Sequence, residues 1–193
     1  VNLERVPVAL KRIPKWAGFI IKNGKKTPVS ILDMKGVGAN DTNRLVSFDK
    51  AKEAAENHLV DAIGVSLFDE GITCIDIDCH NEEKRELFKK LNTEVLSQFN
   101  TYAETSISGT GSHILVKGKK PSGYKHCDRH GIIEVYDCVR FIITTGDVID
   151  GHDTYIAICQ EELNALCEKY LIKQSTTDGL VGKGIYKKQI PIS

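Results

Sequence analysis

Apolar residues recur at every second position in some stretches of this chain and at every third or fourth in others, which divides it into elements. Residues 16–22 (WAGFIIK) read as a first strand, followed over 23–28 by a turn carrying Lys25 and Lys26. Residues 36–47 read as loop, and Ser47 is placed to cap a helix over 48–58 with Ala51, Ala54 and Ala55 inside it. Residues 62–67 form a second strand with Ile63, Val65 and Leu67 on one face. Asp69-Glu70-Gly71 then turns into a third strand over 72–78, so these two strands are expected to form a hairpin. Leu87, Leu91, Val95 and Phe99, widened by Phe88, mark a helix over 82–99.

Beyond that helix, residues 101–106, the glycine turn Ser108-Gly109-Thr110-Gly111 and residues 112–117 read as strand, turn and strand. Residues 118–130 read as polar loop. Strands over 132–136 and 140–144 are expected to pair as a second hairpin, and Leu163, Leu166 and Tyr170 stripe a last helix over 159–171. There is no internal repeat and no low-complexity tract. The order suits an α+β domain with a largely antiparallel sheet and helices on one face.

Strand parity brings the candidate chemistry together. In Ile72-Thr73-Cys74-Ile75-Asp76-Ile77-Asp78, the two aspartates project from one face while Ile75 and Ile77 project from the other. His113 and Lys117 share one face of strand 112–117, opposite Ile114 and Val116. Glu134 and Tyr136 share one face of strand 132–136, opposite Ile133 and Val135. If the three apolar faces pack under the helices and the strands are neighbours, the opposite face collects Asp76, Asp78, His113, Lys117, Glu134 and Tyr136. Asp137 falls on the parity of Ile133 and Val135, which favours Glu134 as the third carboxylate. Crowded carboxylates repel one another, and a hard divalent ion such as Mg²⁺ relieves that repulsion. Three of them suffice for two Mg²⁺ or Mn²⁺ ions roughly 3.5–4 Å apart. A neighbouring His or Lys suits phosphate oxygens, and the glycines of Ser108-Gly109-Thr110-Gly111 permit close backbone approach to a phosphate.

Composition narrows this picture little. The chain has 193 residues with 26 Lys+Arg against 26 Asp+Glu, so its net charge of zero neither supports nor excludes a nucleic-acid partner. Six cysteines without compact pairing suggest a reducing, cytoplasmic setting, and no apolar run is long enough to span a membrane. Cys79-His80, His126-Cys127, His130 and Cys138 lack the Cys-x-x-Cys pair of most zinc sites, so buried or incidental thiols are the favoured reading. The chain begins with Val1 and ends in a polar, irregular stretch, so it is read as a piece of a longer protein.

The order Asp-x-Asp on a strand, Ser-Gly-x-Gly-x-His, then a strand with an acidic residue resembles the primase–polymerase domains of the archaeo-eukaryotic primase superfamily. The likeness is to forms carried by phages, plasmids and other mobile elements. The matching segments are 74–80 (CIDIDCH), 105–119 (TSISGTGSHILVKGK) and 132–146 (IIEVYDCVRFIITTG), and the likeness covers roughly residues 15–150. It implies a catalytic core related to the RNA-recognition fold over residues 1–155, with 156–193 expected as a C-terminal helix and tail at the start of a linker to further domains. It also implies metal-dependent, template-directed nucleotidyl transfer in a bacterial or phage-infected cell. Asp76, Asp78 and Glu134 would be metal ligands, with two Mg²⁺ or Mn²⁺ ions per site. His113 would hold the nucleotide's phosphates near Ser108, Gly109 and Gly111. Arg140 and one of Lys25 or Lys26 would be further nucleotide contacts, and Lys117 lies on the same face. The implied partners are DNA template and primer, nucleoside triphosphates and a helicase domain or subunit, with no membrane. A single convincing helix after residue 150 makes primer extension a safer expectation than primer initiation.

Two rivals use the same residues differently. A non-catalytic RNA-recognition-like module could bind single-stranded nucleic acid on this sheet, but such modules offer stacking aromatics where this face offers acids and Tyr136. Phosphohydrolases of the haloacid dehalogenase type also use Asp-x-Asp after an apolar strand. Their pair lies near the N-terminus, usually with Thr or Val two residues after the second Asp, where this chain has His80.

Overall fold

Apolar strands dominate the computed structural model, which describes residues 1–79 and 81–174. A short helix α1 (Val8–Lys11) precedes the hairpin of β1 (Trp16–Lys22) and β2 (Lys25–Val29). Helix α2 (Phe48–Glu56) leads to β3 (Ala62–Ser66) and β4 (Ile72–Ile77), and α3 (Arg85–Leu96) to β5 (Ala103–Thr105) and β6 (Ser112–Lys117). Strands β7 (Tyr124–Asp128), β8 (Ile133–Tyr136) and β9 (Phe141–Ile143) follow, then α4 (Gln160–Tyr170) and β10 (Leu171–Lys173). These strands form two antiparallel sheets, one of order β2-β1-β3-β9 and one of order β10-β7-β8-β4-β6-β5.

The α+β class and antiparallel pairing match the sequence reading; the layering differs from it. Helices α3 and α4 cover one face of the six-stranded sheet, where Phe88, Leu91, Val95, Leu163 and Leu166 bury Ile75, Ile77, Ile114, Val116, Ile133 and Val135. The opposite face is also covered. There Cys74, Leu115 and Tyr102 pack with Trp16, Ile63, Val65 and Ile142 of the smaller sheet and with Phe48, Ala51 and Ala54 of α2. Burying both faces of β4 and β6 gives these strands near-continuous apolar runs broken only by the polar residues discussed below.

The two expected long-strand hairpins do not form. Strand β3 is buried throughout and already paired on both edges, with β1 and β9, so the turn at Asp69–Gly71 carries the chain out of the smaller sheet into β4. Asp69 and Gly71 both take positive φ there (59° and 65°). The chain returns the same way, since β8 pairs with β4 and β7, whereas β9 pairs with β3. Lys25 and Lys26 lie on a strand instead of in a turn. The turn is the two residues Asn23-Gly24, whose positive φ values (51° and 76°) suit a tight hairpin. The expected loop 118–130 contains the edge strand β7. Ser47 sits at the start of α2 without a side-chain capping bond. Helix α4 and β10, read from sequence as an appendage, are packed into the core, with Leu163, Leu166 and Cys167 fully buried and β10 paired to β7. The rest of the tail and His80 lie outside the described residues.

Candidate active site

A single row of side chains crosses the six-stranded sheet. In register, Glu104 lies opposite His113, His113 opposite Asp76, and Asp76 opposite Glu134. Directly paired residues project to the same face, so these four groups point together toward the smaller sheet. The parity argument that favoured Glu134 over Asp137 agrees with this register, and Asp137 instead accepts the Lys120 N–H at 3.2 Å. Asp78 stands one residue past the end of β4, with its N–H bonded to the Ile132 carbonyl and its Oδ1 accepting the Cys79 N–H at 2.7 Å.

The row borders a cleft of about 380 Å³ between the sheets. Asp76 and His113 line one side, and Phe19, Lys26, Arg140 and Phe141 are among the residues that complete it. Phe19 and Phe141 meet edge to face, with ring centroids 5.8 Å apart. The Arg140 guanidinium lies 4.3 Å from the centre of the Tyr136 ring, on which His126 also stacks. The Tyr136 hydroxyl donates to Glu134 Oε2 at 2.7 Å.

The electrostatics follow from crowding. Burial raises the Asp76 carboxyl above its ordinary value; the charges of Asp78 and Glu134 push the same way, while His113 and Arg140 oppose. For His113, burial alone would favour the neutral ring, but the hydrogen bond to Glu104 and the charges of Asp76 and Glu104 outweigh it and the net shift is upward. His113 Nε2 is 3.8 Å from Asp76 Oδ1, and its Nδ1 is 3.1 Å from Glu104 Oε1. Burial, then the bond to Glu134, raises the Tyr136 hydroxyl.

Among the described residues, no group of three or more His, Cys, Asp or Glu side chains stands ready to hold a metal ion. Asp76, Asp78 and Glu134 adjoin without converging, and Glu134 is held by Tyr136. Their chemistry nonetheless fits a hard divalent cation: three neighbouring carboxylates, Asp76 of them lining the cleft and raised by the charges of the other two. Of the cysteines weighed for zinc, Cys79, Cys127 and Cys138 are free thiols.

The remaining sequence candidates separate. Lys26 lines the cleft, whereas Lys25 pairs with Lys22 at the hairpin tip. Lys117 lies opposite Ile72, four residues along β6 from His113 and outside the cleft lining. The glycine turn is occupied with itself: the Gly109 N–H donates to the Ser106 carbonyl, the Gly111 N–H to Ser106 Oγ, and Ser108 Oγ lies 2.9 Å from Ser106 Oγ. Gly111 serves close packing, because a Cβ there would come within 2.6 Å of the Ile77 carbonyl and 3.2 Å of Asp78 Cγ. Glu104 escaped the sequence reading, as did the aromatic wall of Phe19 and Phe141. The signal for Glu104 was the one that exposed Asp76: an acid on a strand, here between Ala103 and Thr105.

No protein-family model matches the chain. It is 28% identical over 152 residues, 75% of its length, to a DNA primase-polymerase of Nitratiruptor phage NrS-1. The chain spans about a fifth of the length of that relative, the matched part being 21% of it. Among the described residues no helix is long and apolar enough to cross a membrane. The chain, α+β in fold, is thus distantly similar in sequence to a phage protein named as a DNA primase-polymerase.

Proposed function

We propose that this chain is the catalytic domain of a metal-dependent, DNA-directed nucleotidyltransferase that extends primers on a template in the replication of a phage or mobile element. The observation that carries this reading is Asp76 flanked in register by His113 and Glu134, at a cleft that Lys26 and Arg140 also line. The relative's name, DNA primase-polymerase, supports it independently. Strand order adds support for a core related to the RNA-recognition fold. Strands β8-β4-β6-β5 are antiparallel neighbours, and α3 connects β4 to β5.

Asp76, Asp78 and Glu134 would hold Mg²⁺ or Mn²⁺, two per site by the superfamily resemblance. Bound there, such ions would supply the charge neutralisation that helps a primer hydroxyl lose its proton and pyrophosphate depart. The chain's own residues do the rest. Lys26, Arg140 and His113 supply positive charge and donors to a triphosphate. Phe19, Val37 and Phe141 give the nucleoside an apolar wall and limit water in the cleft. Held this way, the α-phosphate can be attacked in line by the primer 3′-hydroxyl, with pyrophosphate leaving opposite. The DNA template and primer, nucleoside triphosphates and a helicase domain or subunit are the partners of this reading.

The test is extension of a labelled primer–template with Mg²⁺ or Mn²⁺. Template-dependent incorporation is expected, with a loss of at least about a hundredfold in Asp76→Asn and in Asp78→Asn. Tight, metal-independent binding of single strands without incorporation would instead identify a passive binding module.

A further inference from the structure

Glu104 is a fully buried carboxylate, and a buried charge persists only where donors surround it. Its two oxygens serve different parts of the molecule. Oε2 accepts the Tyr102 hydroxyl at 2.6 Å, the N–H groups of Thr145 and Gly146 at 2.9 Å each, and Thr145 Oγ1 at 3.3 Å. Oε1 lies 3.1 Å from His113 Nδ1. Thr145 and Gly146 follow β9 in the smaller sheet, and Arg140 precedes it; His113 belongs to β6 in the larger sheet. One carboxylate therefore bonds to a cleft residue of the larger sheet and to the segment that follows directly on a cleft-lining strand of the smaller sheet.

We propose that Glu104 is the positioning residue that fixes His113 and the strand following Arg140 in one geometry across the cleft. This rests on the nucleotide-binding reading of that cleft. An ionised carboxylate only accepts, so Nδ1 of His113 carries a proton and the ring directs Nε2 toward Asp76. The Oε2 bonds hold the end of β9 at a set distance from β5 and β6. Glu104 touches neither metal nor nucleotide in this scheme and acts through His113.

Glu104→Gln separates this role from simple packing. The amide oxygen keeps an acceptor for Thr145 and Gly146, while the amide NH₂ replaces the acceptor that His113 needs. The experiment measures affinity for a non-hydrolysable nucleoside triphosphate with Mn²⁺, and KM and kcat for primer extension, in the wild type, Glu104→Gln, His113→Ala and the double variant. The His113 ring Nδ1 proton is followed by NMR. Glu104→Gln is expected to weaken nucleotide affinity and raise KM about tenfold, with kcat within about threefold, and to cost less than about twofold once His113 is alanine. Tyr102→Phe, which removes one donor to Oε2 alone, lowers thermal stability but leaves nucleotide affinity unchanged. If Glu104→Gln does not fold, Glu104→Asp is expected to show the same rise in KM, since a shorter carboxylate cannot reach His113 and the Thr145–Gly146 backbone together. Wild-type affinity in Glu104→Gln, or an equal loss with His113 already removed, overturns the inference. If the wild type binds no nucleotide, the functional reading falls and the ring proton decides: a protected Nδ1 proton that disappears in Glu104→Gln upholds the positioning role, and its absence in the wild type overturns it.

Discussion

Asp76 and Glu134 face each other across the neighbouring antiparallel strands β4 and β8, two carboxylates in direct register. Like charges so placed destabilise a sheet, and Asp76 is also buried, so its folded-state pKa is raised above the ordinary 3.8. The folded chain then binds more protons than the unfolded one between 3.8 and the raised value. Stability falls as pH rises through that window, and the cost is fully present above it.

Asp76→Asn therefore stabilises the metal-free protein at neutral pH, by about 2–4 °C in melting temperature if the relief is ~1 kcal/mol. The gain vanishes as pH drops below the ordinary carboxylate range. Adding Mn²⁺ raises the melting temperature of the wild type but not of the variant, because only the wild type keeps the full donor set. Thermal melts in chelator and in Mn²⁺ across pH check both halves. A variant less stable than the wild type in chelator would mean that Asp76 is engaged structurally.

Tyr136 links Glu134 and Arg140 through two separable contacts, its hydroxyl and its ring. Tyr136→Phe keeps the ring under Arg140 and is expected to leave KM for the nucleotide within about twofold. Tyr136→Ala releases the guanidinium and is expected to raise KM about three- to tenfold, the range that a partly exposed cation–π contact of roughly 0.5–1.5 kcal/mol implies. Steady-state extension kinetics distinguish the two; equal effects would assign the contribution to the hydroxyl.

Gly111→Ala tests how tightly the glycine turn is fitted against the end of β4. The added methyl meets the Ile77 carbonyl at 2.6 Å, backbone that cannot swing aside. A loss of about 1–3 kcal/mol in chemical denaturation is expected, with weaker Mn²⁺ binding because Asp78 is displaced as well. Unchanged stability would mean that the turn relaxes freely.

Thiol chemistry reports on the core. Burial raises the Cys74 thiol well above its usual range and pushes Cys167 up to about 11, whereas Cys138 is solvent-exposed. Mass spectrometry after brief alkylation of the native protein is expected to find Cys138 modified and Cys74, Cys159 and Cys167 unmodified until denaturant is added. Modification of Cys74 at the rate of Cys138 would reveal an opening of the central strand.

Much of this site was legible in the sequence because strand parity is a local property. Alternating apolar residues around Asp76, His113 and Glu134 put each group on one face, and that face is the one observed. What parity could not supply was the partner of each strand. The predicted 62–67/72–78 and 132–136/140–144 hairpins joined strands close in sequence, whereas β3 and β9 complete a second sheet through the β1–β3 and β3–β9 pairings, which span long separations. Without that sheet, Phe19 and Phe141 had no cleft to line, and Lys25 could not be told from Lys26. Glu104 needed both levels, since its significance lies in donors from Thr145 and Gly146, forty-one and forty-two residues away.

The central claim is that the Asp76 row holds the metal and the triphosphate of a nucleotidyltransferase. Its most direct test is a crystal structure with Mn²⁺ and a non-hydrolysable nucleoside triphosphate, with manganese located by anomalous scattering. The account predicts a manganese peak ligated by Asp76 and Asp78, with the phosphates against His113 and Arg140. A triphosphate bound elsewhere, or manganese absent from these carboxylates while nucleotide is present, would contradict it.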